Sequence, residues 1–288
     1  MKHKILSLGE VLWDLFPGDV KFGGAPANFA CHAALAGGDV AMFSAVGDDD
    51  FGRRARDILS GYGIDLEHLQ TAVDAPTGTV GVDIDSAGKP TFTIHESSAW
   101  DQLAWTDSME TAVRSADLVA FGTLGQRSAV ARETITRCLA VAQRADIPRI
   151  VDINLRAPFY DDDLIRQSIR AASILKLSDD ELHVVAEAMG IDGPKPSSVL
   201  EDLLDASSLD FIVMTRGADG AVLVTPDSTI RQPGIATTVR DTVGAGDAFT
   251  ARFVVDLLAK RELSAALKNA CTHAAQICAI DGAVPDPG

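Results

Sequence analysis

The strongest constraint on this chain is a repeated change of period. Short apolar runs rich in β-branched and aromatic residues alternate with longer helical patterns, so that ILSLG, ANFACHAALAG, VAMFSAVG and FGRRARDILSGYG follow one another from residue 5. Strands that alternate with helices pack as βαβ units, which build a mostly parallel sheet covered by helices. Lys4 to Leu8 reads as the first buried strand. Pro26 stands where a first helical turn tolerates proline, and Gly37-Gly38 closes that helix.

The alternation resumes from residue 116 with the strand ADLVAFG, the helix SAVARETITRCLAVAQRA and the strand PRIVDIN. A loop, the strand ASILKLS, the helix DDELHVVAEAMG and the strand LDFIVMTRG follow, then a hairpin, GAVLVTPDSTIRQPG. Two last helices are expected near Ala245 to Lys260 and Ser264 to Ala279. Two segments break the pattern: GEVLWDLFPGDVKF and TGTVGVDIDSAGKPTFTIHE alternate apolar and polar residues around a turn, as antiparallel hairpins do. They predict a small β lid, with segments at about 9–23 and 77–103 inserted in one domain spanning residues 1–288. No repeat and no Pro- or Ser-rich linker divides the chain.

Composition narrows the partners. With 41 acids against 25 bases the net charge is -16, which repels polyanions and makes nucleic acid or an anionic membrane an unfit partner. The four cysteines form no CxxC pair, which speaks against a zinc site or disulfide framework and for a reducing cytoplasm. Glu10 and Asp14 interrupt the apolar run at the N-terminus before it could serve as a signal segment or span a bilayer.

Chemistry concentrates in DTVGAGDAFTARF, residues 241–253. Gly244, Ala245 and Gly246 let the backbone bend tightly and expose unpaired amides at the start of a helix, where the dipole favours an anion. Asp247 in that first turn could simply complement the dipole. Beside a bound phosphate it could also take a proton from an attacking alcohol. The chain has neither GxxxxGK[ST] nor a GxGxxG after its first strand, so phosphate chemistry would need this other cradle.

These residues carry a resemblance. DTVGAGDAFTARF resembles the C-terminal signature of the PfkB carbohydrate kinases of the ribokinase-like superfamily, and GGAPANFA at 23–30 resembles their N-terminal one. The likeness extends to the G-E start, GDDDFG, D-x-N-x-R at 152–156, KLSDDEL at 176–182 and TRGADGA at 215–221. It implies a ribokinase-like α/β fold and an ATP- and Mg²⁺-dependent sugar kinase, with Asp247 as catalytic base and the amides of Gly244, Ala245 and Gly246 as the anion hole. Fructose is the first-choice sugar, because GEVLWDLFP and LSDDEL look most like fructokinases. Ketodeoxygluconate, ribose and nucleosides are alternative acceptors. A regulator that binds sugar or nucleotide without catalysis would keep the pocket but lose the base.

At the sugar end, Gly24 would let a ligand approach the backbone and the Asn28 amide can both donate to and accept from hydroxyls, although an Asn in a first turn also serves as a cap; the resemblance implies substrate contact at both. The resemblance adds Asp14 as a substrate-binding acid; an exposed strand residue is the alternative. Most of the aromatics Trp13, Phe22, His95, Trp100 and Trp105 are expected in the hairpin core, and at least one of them in contact with substrate. Arg156, after a buried strand, would reach the carboxyl edge of the sheet to meet phosphate or sugar, or else pair with Asp152 or Asp161. At the nucleotide end, S178-D-D-E181 stands where relatives carry N-x-x-E, so Glu181 is expected to reach Mg²⁺ through water while Ser178 departs. Thr215, Gly217 and Gly220 are placed near ATP, although the glycines would also serve a turn. Asp241 and Val243 match positions where relatives bind K⁺, and Asp241 could equally be a structural pin. An apolar outer face on the lid would suit a homodimer.

Overall fold

The computed structural model describes residues 2–84, 90–193 and 195–286. In chain order the elements are β1 (Lys4–Leu8), β2 (Leu12–Phe16), β3 (Asp19–Gly23), α1 (Ala25–Leu35), β4 (Asp39–Gly47), α2 (Asp50–Gly61), β5 (Leu69–Ala72), β6 (Gly78–Ile84) and β7 (Pro90–Ile94). There follow α3 (Asp107–Arg114), β8 (Leu118–Gly122), α4 (Ala129–Arg144), β9 (Arg149–Asp152), α5 (Asp162–Ala171), β10 (Ile174–Ser178), α6 (Asp179–Met189) and α7 (Pro196–Asp205). The chain closes with β11 (Phe211–Thr215), β12 (Ala221–Val224), β13 (Thr229–Gln232), α8 (Ala245–Leu258) and α9 (Leu263–Ile277).

The large sheet runs β13-β12-β11-β10-β9-β8-β1-β4-β5, and only the β11/β12 and β12/β13 pairings are antiparallel. Register shows why its strands read as continuous apolar runs. Ile5, Leu118, Ile150 and Ile174 lie on one face, toward α1, α2 and α8, while Leu6, Val119, Val151 and Leu175 lie on the other, toward α3 to α7. A parallel sheet buried on both faces leaves no polar side to alternate with. Each such residue removes about 1.5 to 3 kcal/mol worth of apolar side chain from water.

The two hairpin segments do come together. Strands β3-β2-β6-β7 form a separate four-stranded sheet in which β2 and β6 run parallel and the outer pairs antiparallel. The turn expected between β6 and β7, at residues 85–89, lies outside the described residues. Asp49 joins this sheet to the rest: its carboxylate accepts from the Gly52 amide that opens α2 and from both the amide and the hydroxyl of Thr77 just before β6.

One expectation fails within the large sheet. Residues 155–171 are not a loop throughout, because Asp162–Ala171 is helical. Asp161 caps it by accepting from the Leu164 amide at 2.7 Å, and Leu164, Ile165, Ser168 and Ile169 make a buried stripe at helical spacing. Helices α3 and α7 and the short edge strand β5 are likewise elements that the apolar pattern did not predict.

Candidate active site

The site lies along the carboxyl edge of the parallel strands. Gly122 and Asp152 are register partners at the ends of β8 and β9, and Ser178 and Thr215 are partners at the ends of β10 and β11. With Glu10 just past β1, the row spans four strand spacings, about 19 Å, long enough for an acceptor at one end and a nucleotide at the other.

Helix α8 begins in the middle of this edge. Gly244 is its N-cap with φ 76°, and a Cβ there would lie 2.5 Å from the Ala283 carbonyl, so only glycine fits. Above it the first-turn amides have no carbonyl one turn back to bond, although the Ala245 amide makes a 3.3 Å contact with the Thr242 carbonyl. The Lys176 ammonium lies beneath, 3.3 Å from where a Cβ on Gly246 would stand. The turn therefore has the free amides and the nearby lysine that an anion cradle needs.

Asp247 sits one residue further on, and its Oδ2 accepts a 2.9 Å hydrogen bond from Asn28 Nδ2. Donation to a carboxylate fixes the Asn28 amide orientation and turns its Oδ1 the other way, where it is buried and has no partner. Burial raises the Asp247 pKa to about 7, reinforced by the charge of Asp152 and opposed by Asn28, Lys176 and Arg156. Asp247 thus titrates near neutrality, where a carboxylate makes an effective proton acceptor.

Two further acids surround it. Asp152 lines the same cavity as Asp247 and is held by the Lys176 ammonium at 3.0 Å and the Thr250 hydroxyl at 3.1 Å. Burial works against the Lys176 charge, but the acids Asp152, Glu181 and Asp247 outweigh it and hold the ammonium above the ordinary lysine pKa. Glu10, only 3% exposed, faces this cavity too, and burial pushes its carboxyl up to about 7. Among the described residues its Oε2 has no hydrogen-bond partner. Neither Glu10 nor Lys176 was singled out as a site residue; a lysine inside the apolar strand ILKLS and an acid between Gly9 and Val11 were the signals available.

Of the residues expected at the sugar end, the structure brings Gly24, Asn28 and Asp247 together. Gly24 has φ 104°, and a Cβ on it would meet the Glu10 carbonyl at 2.6 Å, which presses the start of α1 against the segment between β1 and β2. Asp14 is half-buried on β2 rather than exposed, and burial lifts it to about 6 against the pull of Arg156 and Lys21. Arg156 is exposed and makes no ion pair with Asp152 or Asp161; its charge bears instead on Glu10, Asp14 and Asp247. Trp13, Phe22 and Trp100 are buried: Trp13 packs between Phe22 and Phe51, and Trp100 lies under Arg127 at 3.9 Å.

The nucleotide-end residues are occupied by the fold itself. Glu181 forms a capping box with Ser178, its Oε2 accepting from the Ser178 amide and hydroxyl, while its Oε1 accepts from the Leu155 amide at 2.8 Å. The Thr215 hydroxyl makes a long 3.4 Å contact with the Leu177 carbonyl. Gly220, at φ 88°, packs so tightly that a Cβ would lie 2.1 Å from the Gln232 carbonyl; Gly217, at φ 50°, opens a short 3₁₀ turn. Both Asp241 side-chain oxygens accept from backbone amides, Oδ1 from Val243 and Oδ2 from Gly282. Partial burial disfavours its charge, but those amides and Lys21 outweigh that and hold its pKa below the usual value.

Among the described residues no three His, Cys, Asp or Glu side chains cluster as a metal site, and no helix is long and apolar enough to cross a membrane. A magnesium ion carried in by a nucleotide is compatible with this, because Mg²⁺ commonly takes one or two carboxylates and keeps its waters and phosphate oxygens.

The sheet edge thus brings the helix-start turn at 244–246, the buried Lys176 and Asp247 together, an arrangement that suits phosphoryl transfer. The model of the pfkB family carbohydrate kinases matches residues 16–286. Fructokinase-2 of Oryza sativa subsp. japonica is 29% identical, the match covering 98% of this chain and 90% of that protein. The aminoimidazole riboside kinase of Salmonella enterica, solved with aminoimidazole riboside and an ATP analogue, superposes with a TM-score of 0.82 at 25% identity over 99% of this chain and 97% of its own. A fructokinase double mutant from Vibrio cholerae O395, solved with fructose, ADP and potassium, gives 0.84 at 25% identity over 99% and 95%. The chain belongs to the pfkB family of carbohydrate kinases, with a ribokinase-like fold, and is an ATP-dependent sugar kinase.

Proposed function

We infer that this kinase phosphorylates a small sugar, fructose first among candidates, with Asp247 as the general base. The observation that carries the reading is the Asn28–Asp247 hydrogen bond beside the cradle at 244–246, with Asp247 titrating at about 7. The acceptor hydroxyl would give its proton to an Asp247 oxygen while its own oxygen attacks the γ-phosphorus, and ADP leaves. The amides of Gly244, Ala245 and Gly246 take up the charge on the transferring group, and Lys176 supports them from below. Mg²⁺ bound to the nucleotide would neutralise phosphate charge. Glu181 could reach that ion only through water, since protein donors already engage both its oxygens.

Asn28, Asp14, Gly24 and Arg156 form the acceptor side in this reading. The buried Asn28 Oδ1 still needs a donor, and a sugar hydroxyl supplies one. Asp14 offers paired oxygens to neighbouring hydroxyls, and the small sheet acts as the lid that excludes water during transfer. Thr215, Gly217 and Gly220 bound the nucleotide at the far end of the row. Asp241, with the Val243 carbonyl, belongs to the loop that sets the cradle. A second copy docks on the outer face of the small sheet, where Phe92 is 54% exposed; light scattering that gives the mass of one chain would remove that part.

Fructose rests on the likeness of the GEVLWDLFP and LSDDEL segments to fructokinases and on the rice relative. A riboside acceptor is the second reading, favoured by the match to the Salmonella riboside kinase. Measuring ATP consumption over a panel of ketoses, aldoses, ketodeoxygluconate and ribosides, with the phosphate position of the product determined, separates them. Highest turnover on fructose is the expected result, and preference for a riboside would replace it.

A further inference from the structure

The resemblance to relatives that bind K⁺ implies a monovalent cation at Asp241 and Val243, and the surroundings of Asp241 in this chain do not fit one. Asp241 Oδ1 accepts from the Val243 amide at 3.0 Å and Oδ2 from the Gly282 amide at 3.1 Å. The Lys21 ammonium stands 3.6 Å from the same Oδ2. The Phe16 ring lies 5.2 Å from the nitrogen, and Asp14 is the residue directly opposite Lys21 in the β2/β3 hairpin. A dissolved cation added to this carboxylate would meet a like charge already in position. A tethered ammonium, by contrast, binds without losing the freedom of a separate ion.

We propose that Lys21 is the resident cation of the Asp241 site, holding the loop that leads into Gly244 and making turnover independent of added K⁺. Lys21 is then a positioning residue: it acts on the cradle through Asp241 and touches no reacting atom. Because Asp14 and Lys21 share one hairpin, the segment bearing the acceptor-side acid is tied ionically to the segment bearing the anion cradle.

The turnover arm of the test rests on the sugar kinase reading; the melting arm does not. Wild type and Lys21→Met are assayed, and melted, in K⁺, Na⁺ or choline at equal ionic strength. Wild type is expected to turn over and melt alike in all three. Lys21→Met is expected to lose at least about tenfold in kcat in choline, to recover in K⁺ or NH₄⁺, and to gain melting temperature in K⁺ over choline. Lys21→Arg, which keeps the charge, is expected to stay cation-independent and guards against a folding defect. Wild type activated severalfold by K⁺ overturns the proposal, as does a folded Lys21→Met whose turnover and melting ignore the cation. If no sugar is phosphorylated by either form, the functional reading fails while the melting comparison still decides the role of Lys21.

Discussion

The two ends of the sheet edge differ in how much of their polar capacity the fold has used. At the nucleotide end, Glu181 satisfies three donors and Gly220 is fixed by the backbone it packs against. At the acceptor end, Glu10 Oε2 and Asn28 Oδ1 are buried without partners, and burial raises Glu10, Asp14 and Asp247 toward neutrality. Unpaired buried polar atoms and ionised carboxylates held out of water are costly, and a fold keeps them where a ligand completes them. A nucleotide brings its own charge and metal and needs mainly a shaped surface. A neutral sugar must be oriented by hydrogen bonds, and the end proposed for it carries two of the unsatisfied groups, Glu10 Oε2 and Asn28 Oδ1.

Substitutions at the two ends should therefore separate into effects on turnover and effects on stability. The largest is expected for Asp247→Asn, which should lower kcat by at least about 10² while leaving ATP affinity nearly unchanged in a binding titration. It should also stabilise the protein. Because the folded pKa of about 7 stands above the ordinary 3.8, the stability this group contributes is full below about pH 4 and is lost as pH rises through 7. The variant escapes that loss, so its melting temperature should exceed that of wild type by about 2 °C or more at pH 8, with a smaller gap at pH 5.

Gly244→Ala is next. A Cβ at φ 76° that must also clear the Ala283 carbonyl should cost about 1 to 3 kcal/mol in denaturant unfolding and lower kcat with it. An unchanged kcat would break the link between this turn and the cradle. Asp14→Asn keeps the shape and removes the charge, and should raise KM for the sugar about tenfold with little change for ATP. The smallest catalytic effect is expected at the other end: Glu181→Gln should cost about 1 kcal/mol of stability through the capping box and change KM for ATP less than about threefold. A large rise in KM for ATP would show that Glu181 serves the nucleotide as well as the helix, and would blur the contrast between the ends.

The sequence disclosed what rests on period and on glycine. Strands buried on both faces, the two hairpins of the small sheet and the start of α8 were legible because their patterns are local. Helix α5 was not: three acids crowd its start, its buried stripe has only three apolar residues, and its cap shows only in the bond from Leu164 to Asp161. In the site, Asp247, Asn28 and Gly244 carried motifs, whereas Lys176 reaches Asp152 and Gly246 from β10 and Glu10 reaches the cavity from the turn after β1. The role of Asp241 depends on Gly282 and Lys21, distant in sequence on either side. No local pattern encodes such a meeting.

The pH dependence of kcat/KM for the sugar at saturating ATP, compared between wild type and Asp247→Asn, tests the proton-acceptor role most directly. A base must be ionised to act, so wild type should lose activity as pH falls below about 7, along a limb of unit slope. The residual activity of Asp247→Asn should lack that limb. The same limb in the variant, or a flat wild-type profile between pH 5 and pH 9, would assign proton removal to another group.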